Sequence, residues 1–557
     1  MEQARLLIAI VLSAAVFLVW QFFFVDRDAV HKTAKKTEQP PASTEQVQPA
    51  KPYAAEQEDT AIKTAGVKET AVAKPTHQGK IITVDTPLYR AKVSEEGAGF
   101  TSFILKDYRE TVAKDSPLKE IIPQESAFET VLVGYDGKSL AGLDNAVFSA
   151  NLDVDTLSVK EGSQQITFSW TSEQGVIVEK TYSFTPGSYV IGLDVTVKNG
   201  SDLNIQDKLY VALRGGIPTA SQSYGFEGPS AFINDHLEEV KIKDIAEKNT
   251  YAGSFKWIAI QDRYFITSII PSHVEEGGMR LYVKEDKLLE AQYLNPVSDI
   301  RPGTQHTYQY SLFFGPKSMK VMRAVGHDIS KALNFGFFDI IAKPCVWLMN
   351  KLYSVIPNYG IAIIILTLLI KIVLWPLGSK SYKSMSEMKR IQPLMKEIRE
   401  KYKDDKKKMN EEVMGLYRTY KINPLGGCLP MVVQLPVFFA LYRMLYQAIE
   451  LRHAPFFLWI VDLSAPDRLG HFAIKHIPFM EPPYGIPVLT IIMGASMLLQ
   501  QKMSPPMGDP TQAKMMMFMP VIFTFIFINF SSGLVLYWLT NNILSIAQQH
   551  YIQKKFA

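Results

Sequence analysis

A single lysine, Lys371, stands in the stretch 361–380, IAIIILTLLIKIVLWPLGSK, directly after ten residues that hydrocarbon would accept. An ammonium there can attract carboxylates, or it can lift its charge to the nearby interface, since Lys371 precedes Pro376 by five residues, roughly 7–8 Å along a helix. Thr367, four residues earlier, shares its helical face. Gln434 interrupts GCLPMVVQLPVFFALY, and Asn541 and Asn542 follow Tyr537 and Trp538 in the last apolar segment. Lipid penalises such groups, so they are expected to face one another or water, in a wet cavity whose one clear charge is Lys371. The apolar segments contain no Asp or Glu, which argues against a cation pump or proton-coupled transporter, and inverted repeats are not evident. An anion site is left, or a slot that takes polar or acidic peptide segments partway into the bilayer at reduced cost.

The elements that would position these residues are membrane spans. Among 557 residues, 47% hydrophobic, the apolar ones gather in the first 25 positions and after about position 335, with a polar middle between. Residues 6–25, LLIAIVLSAAVFLVWQFFFV, are long enough for one crossing, and the exit through Phe22–Asp26 offers no cleavage site, so an uncleaved anchor is expected. Further spans are expected near 358–377, 426–448, 486–501, 516–530 and 534–551, the last two as a tight hairpin about Ser531-Ser532-Gly533. The loop 378–422 carries thirteen Lys and Arg, the loop 502–515 has Lys502 and Lys514, and the tail has Lys554 and Lys555; the positive-inside rule makes all three cytoplasmic. Counting back puts the N-terminus inside and residues 26–357 outside, although Arg27, Lys32, Lys35 and Lys36 follow the first span.

Residues 26–78 are rich in Ala, Lys, Thr, Glu, Gln and Pro and read as a disordered tether. From Ile81 the pattern turns to period two, as in YVIGLDVTVKNG at 189–200, and recurs in QITFSW, VIVEKTYSF, KLYVALRG, WIAIQDRYFITSIIP, MRLYVKED and TYQYSLFFG. Many short strands between turn residues predict a large antiparallel β-sandwich over 79–330. It shows no nucleotide loop or catalytic signature. His236, His273 and His306 could in principle serve a carbohydrate-active site, but as surface or core histidines they imply no enzyme. The two cysteines, Cys345 and Cys428, give no disulfide framework or metal cluster, and no cofactor is implied.

Within 380–422, two amphipathic runs, SYKSMSEMKRIQPLMKEIREKY and MNEEVMGLYRTYKI, predict a helical hairpin kinked at Pro393, with Asp404 or Asp405 at its tip as N-cap of the second helix. Over 378–422 thirteen basic and seven acidic residues leave 13 − 7 = +6, suited to ribosomal RNA, anionic lipid or an acidic partner, and equally explained by topology. Gly426, Gly427 and Cys428 are expected to let helices approach closely. Met515, Met516, Met517 and Met519 read as flexible apolar filler or lipid contacts.

Several motifs in one order resemble the YidC membrane protein insertases: NYGIAIIILTLLIKIVLWPL, KINPLGGCLPMVVQLPVFFALYRML, APFFLWIVDLSAPD, QQKMSPPMGDPTQAKMMMFMPVIFTF, SSGLVLYWLTNNILSIAQQ and, in the β region, WIAIQDRYFITSIIP. The resemblance implies a polytopic α-helical membrane core of six transmembrane helices, five of them enclosing a hydrophilic groove, plus an all-β periplasmic supersandwich similar to sugar-mutarotase folds without their catalysis. It implies that the groove charge, commonly arginine, is Lys371, here a point charge without the planar fork. It likewise places Thr367, Gln434, Tyr537 and Trp538 in the substrate groove, Trp538 lacking the hydroxyl of a second tyrosine. Segment 331–357 would hold an amphipathic helix at the outer surface, ahead of a core at 358–557. The implied function is non-enzymatic: inner-membrane insertion and chaperoning of nascent membrane proteins, with the Sec translocon, the ribosome and membrane lipids as partners. A small-solute or lipid transporter is the alternative, and a tethered carbohydrate-processing enzyme a second.

Overall fold

A computed structural model describes residues 79–122, 128–137, 139–217, 225–274, 276–284, 288–420, 429–470, 472, 477–503 and 510–556. The expected first span, the tether, and Gly426, Gly427 and Cys428 lie outside the described residues.

The period-two runs are strands. In Val190–Asn199, Ile191, Leu193, Val195 and Val197 point into the core while alternate residues stay partly exposed. This strand lies between Val176–Phe184 and Gln305–Pro316, antiparallel to both. Two sheets build the domain. One has five strands in the order Leu118–Glu120, Phe100–Arg109, Tyr89–Ser94, Ile81–Asp85, Thr156–Ser158; the other has thirteen, and a two-stranded ribbon, Ile205–Asp207 with Ser298–Ile300, completes it. The large sheet turns a corner on Thr250–Gln261: residues 250–254 pair with Glu276–Lys284, whereas 258–261 pair with Phe265–Pro271. Just before the switch Gly253 sits at φ +152°, where a Cβ would meet the Asn234 amide at 2.7 Å, and the ladder to Gly228–Ile233 slips between Phe255 and Trp257.

Aromatic rings close the sandwich, with Phe100 against Tyr182 at 5.1 Å and Phe103 against Phe314 at 5.2 Å. Among them Lys180 is fully buried and donates from Nζ to the carbonyls of Gly97, Ala98 and Val131, each at 2.8 Å. Burial pushes its pKa well down; the three carbonyls, which only the ammonium form fills completely, oppose that shift. His236, His273 and His306 are all exposed, and among the described residues none is hydrogen bonded to a carboxylate.

After the last strand come α1 (Met319–Val325), α2 (Asp339–Val355), α3 (Tyr359–Val373), α4 (Trp375–Arg390), α5 (Gln392–Lys401), α6 (Lys406–Thr419), α7 (Leu429–Gln447), α8 (Val488–Met503), α9 (Pro510–Phe527) and α10 (Ser532–Phe556). In the span expected near 358–377, Asn358 caps α3 by accepting from Ile361 N at 3.1 Å, and the chain breaks at Leu374, with Pro376 in the first turn of α4 and a bend of 67°. The first hairpin arm is therefore the continuation of α3, and it breaks again at Ile391, ahead of Pro393. Among the described residues no single helix is long and apolar enough to cross a membrane; the bent pair α3–α4 is, by length and composition. The polar residues that line the site described below account for this in α10, the longest helix.

The two layers are keyed together. Arg263, in the turn of the WIAIQDRYFITSIIP hairpin, donates to the Tyr446 carbonyl at 2.7 Å and lies 3.6 Å over its ring. Glu450 accepts from Ser318 Oγ at 3.2 Å and Asn350 Nδ2 at 3.3 Å, and burial raises its pKa. Lys317, fully buried, donates to the Asp262 carbonyl, and burial pushes it down to about 8. On α2, Ala342, Cys345, Val346 and Met349 pack inward, while Ile340 and Trp347, with Phe337 just before the helix, are largely exposed.

Candidate functional site

The helix α10 is central, packing on α3, α4, α7 and α8, and it organises two polar clusters. The first surrounds Lys371, two residues before the end of α3. Its Nζ donates to Ser545 Oγ at 2.7 Å, so the stem is directed into the bundle rather than toward an interface. Ser545 is buried and donates its own hydrogen to the Asn541 carbonyl, one turn back, at 2.7 Å. Tyr382 of α4 is hydrogen bonded to both Ser545 and Gln500 of α8. Nearby, Asn542 donates to Ser496 Oγ at 3.1 Å, and Gln548 donates to the Trp375 carbonyl at 3.2 Å and Ser379 Oγ at 3.4 Å. Gly378 makes room for that glutamine: a Cβ there would lie 2.9 Å from Nε2. Gln549 is buried with neither amide atom partnered among the described residues.

Thr367 is buried one turn before Lys371, but its hydroxyl donates at 2.7 Å to the Ile363 carbonyl of its own helix. Its side chain is committed locally. The second cluster joins Gln434 of α7 to the Tyr537 hydroxyl by a hydrogen bond. Trp538 packs edge-on to Phe438 at 4.7 Å, with Phe527 at 5.3 Å and Phe523 at 6.4 Å; its Nε1 is buried without a partner among the described residues. Of the five residues expected to line one groove, Gln434, Tyr537 and Trp538 gather near the start of α10, and Lys371, one turn after Thr367, meets Ser545 eight residues and about 12 Å further along the axis.

Toward the β domain, where Ser464 is hydrogen bonded to Tyr264, the described residues 454–470 and 477–487 are tied to the bundle. Arg468 donates to the carbonyls of Pro483 (3.0 Å), Asp467 (2.9 Å), Ile528 (2.8 Å) and Glu481 (3.4 Å) and to Asn529 Oδ1 (3.3 Å). Asp467 accepts from the backbone of Leu489 and Thr490 at the start of α8 and from Trp459 Nε1. Burial raises the Asp467 pKa and lowers that of Arg468. At the other end Met388 of α4, Ile391 at the break and Met395 of α5 pack against Val413, Leu416 and Tyr417 of α6. Of the two tip acids Asp405 is the cap, accepting from Lys408 N at 3.0 Å.

Sequence reasoning named Lys371 but not its partner. Ser545, Tyr382, Ser496, Gln500 and Gln548 were missed, although NNILSIAQQ places polar residues at 541, 542, 545, 548 and 549, spacing that marks a stripe on a helix. Among the described residues no group of His, Cys, Asp and Glu could hold a metal. The arrangement is suited to binding rather than bond chemistry: one cation held among neutral hydrogen-bonding groups, with apolar Leu368, Ile372 and Val373 exposed on the outside of the same helix.

Residues 81–348 match the family model described as the YidC periplasmic domain, and 351–557 match that of the 60Kd inner membrane protein. A relative from Syntrophus aciditrophicus (strain SB), named membrane protein insertase YidC, is 41% identical over 99% of both chains. One of the same name from Syntrophobacter fumaroxidans is 38% identical over 99% of this chain and 100% of its own. A solved structure, an active YidC insertase with its first transmembrane domain resolved, aligns over 85% of this chain and 95% of its own at 18% identity and a TM-score of 0.37.

Proposed function

The chain belongs to the YidC family of membrane protein insertases, and from that premise we propose that it inserts nascent membrane proteins by receiving their polar segments at the Lys371 cluster. The observation that carries the reading is the inward Lys371–Ser545 contact, which keeps a cation among neutral polar side chains inside a bundle whose outer face is apolar. Polar residues of a client lose less hydration free energy in such a site than in hydrocarbon. A client carboxylate about 4 Å from the ammonium, at an effective dielectric constant of about 20, gains at most roughly 4 kcal/mol. The client's apolar span then moves into lipid, releasing roughly 25 cal/mol per Å² of apolar surface. None of these steps needs a nucleotide or a reaction at a bond, so the reading is not enzymatic.

In this account residues 1–25 anchor the chain, 26–78 tether a periplasmic β domain at 79–330, the segment 331–357 lies at the outer surface, and both termini are cytoplasmic. Gln434, Tyr537 and Trp538 complete the client path, with Thr367 lining it beside Lys371 through its methyl group while its hydroxyl stays on its own helix. The basic hairpin at 380–422, tipped by Asp404 and Asp405, faces the ribosome, the Sec translocon and anionic lipid. The small-solute or lipid transporter gains no support from the two relatives described above. The test is Lys371→Glu in the full-length protein: insertion of clients with acidic translocated segments should fall about tenfold or more, and that of neutral clients much less. Equal insertion of both classes by the variant would overturn the charge-attraction step.

A further inference from the structure

We propose that Ser545 is the positioning residue that holds Lys371 inside the bundle, so that the site prefers client segments bearing carboxylates. The inference rests on the insertase reading and adds a residue to it. Hydrogen-bond counting gives the argument. A serine hydroxyl has one donor and two acceptor lone pairs. Ser545 gives its hydrogen to the Asn541 carbonyl at 2.7 Å, so both lone pairs are left to accept, and one of them takes Lys371 Nζ at 2.7 Å, with the Tyr382 hydroxyl beside it. Tyr382 is tied in turn to Gln500, so the acceptor is fixed from α4 and α8 as well as by its own helix.

Lysine is a flexible stem with three donors, and an interface within 7–8 Å of helix is within its reach. Ser545 is the one hydrogen-bond acceptor of Lys371 among the described residues, leaving two of its donors for water or a client carboxylate. Because the partner is neutral, the ammonium is located without being cancelled. An aspartate at 545 would hold it equally well and quench it.

Full-length protein in liposomes would be given two single-span clients, one with aspartates in its translocated segment and one with asparagines in their place. Ser545→Ala should reduce protease protection of the aspartate client three- to tenfold and leave the asparagine client within twofold. Ser545→Thr, which retains the hydroxyl, should restore it, and Ser545→Ala added to Lys371→Ala should change nothing more. Equal loss for both clients, failed rescue by threonine, or additive loss in the double variant would overturn the proposal. A second readout is independent of transport: acetylation of lysines by an amine-reactive reagent, resolved by mass spectrometry. Labelling of Lys371 should rise severalfold in Ser545→Ala while buried Lys180 stays unlabelled; unchanged Lys371 labelling would overturn the proposal. If the wild type protects neither client, the insertase reading fails, and the labelling result still decides what Ser545 does.

Discussion

Replacing Lys180 by methionine removes a buried ammonium while conserving most of its volume. In the native protein Nζ donates to Gly97, Ala98 and Val131 carbonyls at 2.8 Å, and Ala98 also accepts from the Tyr182 hydroxyl at 2.7 Å. Methionine therefore leaves two carbonyls, those of Gly97 and Val131, without this donor, at about 1–3 kcal/mol each. Removing a charge from a dry interior returns part of that cost. A net loss of about 2–4 kcal/mol follows. Strands span Ile81 to Pro316, or 316 − 81 + 1 = 236 residues, a size at which each kcal/mol moves Tm by about 2–4 °C. A loss near 3 kcal/mol thus means a fall of roughly 6–12 °C. Near-ultraviolet circular dichroism of the full-length protein in detergent follows the buried aromatic cluster directly. A Tm unchanged within about 2 °C, or raised, would refute the claim that the three-carbonyl geometry stabilises the sandwich.

Asp405→Ala should cost the α6 N-terminus about 1 kcal/mol and Asp404→Ala almost nothing, read as faster hydrogen exchange at Lys408 in the first variant only. Arg468→Ala strips donors from four carbonyls and Asn529 and should destabilise the packing of 467–468 on 481–483 and 528–529 by about 3–5 kcal/mol, seen as faster proteolysis there. Glu450, whose pKa burial raises, binds more protons folded than unfolded above the ordinary glutamate value. Its contribution is full below that value and is lost as pH rises through the folded pKa, so Glu450→Gln should flatten Tm against pH, and an unchanged profile would count against the buried carboxyl.

The β domain was largely legible because each strand signals itself locally: Val190–Asn199 alternates, and WIAIQDRYFITSIIP contains both strands of a hairpin. Its division into two sheets and the switch of partners along Thr250–Gln261 were not, since both depend on pairings between remote segments. In the helical part the apolar run 358–377 marked a span, but the bend at Leu374, ahead of Pro376, was not legible, because hydropathy counts residues and not direction. Lys371 stood out by contrast with its neighbours. Its partner lies 174 residues away, a distance that no local pattern bridges, and only the stripe in NNILSIAQQ hinted at it. Thr367 was placed on the correct face, but whether its hydroxyl serves the site or its own helix is a matter of rotamer.

The central claim is that a cation held inside the bundle helps carry client segments into the membrane. It is tested most directly by protease protection of a single-span client synthesised beside liposomes that contain wild-type protein, Lys371→Ala protein or no protein. The account predicts protection well above empty liposomes with wild type and a clear fall with Lys371→Ala. Protection no greater than that of empty liposomes would contradict insertion, and equal protection by both proteins would contradict the role given to Lys371.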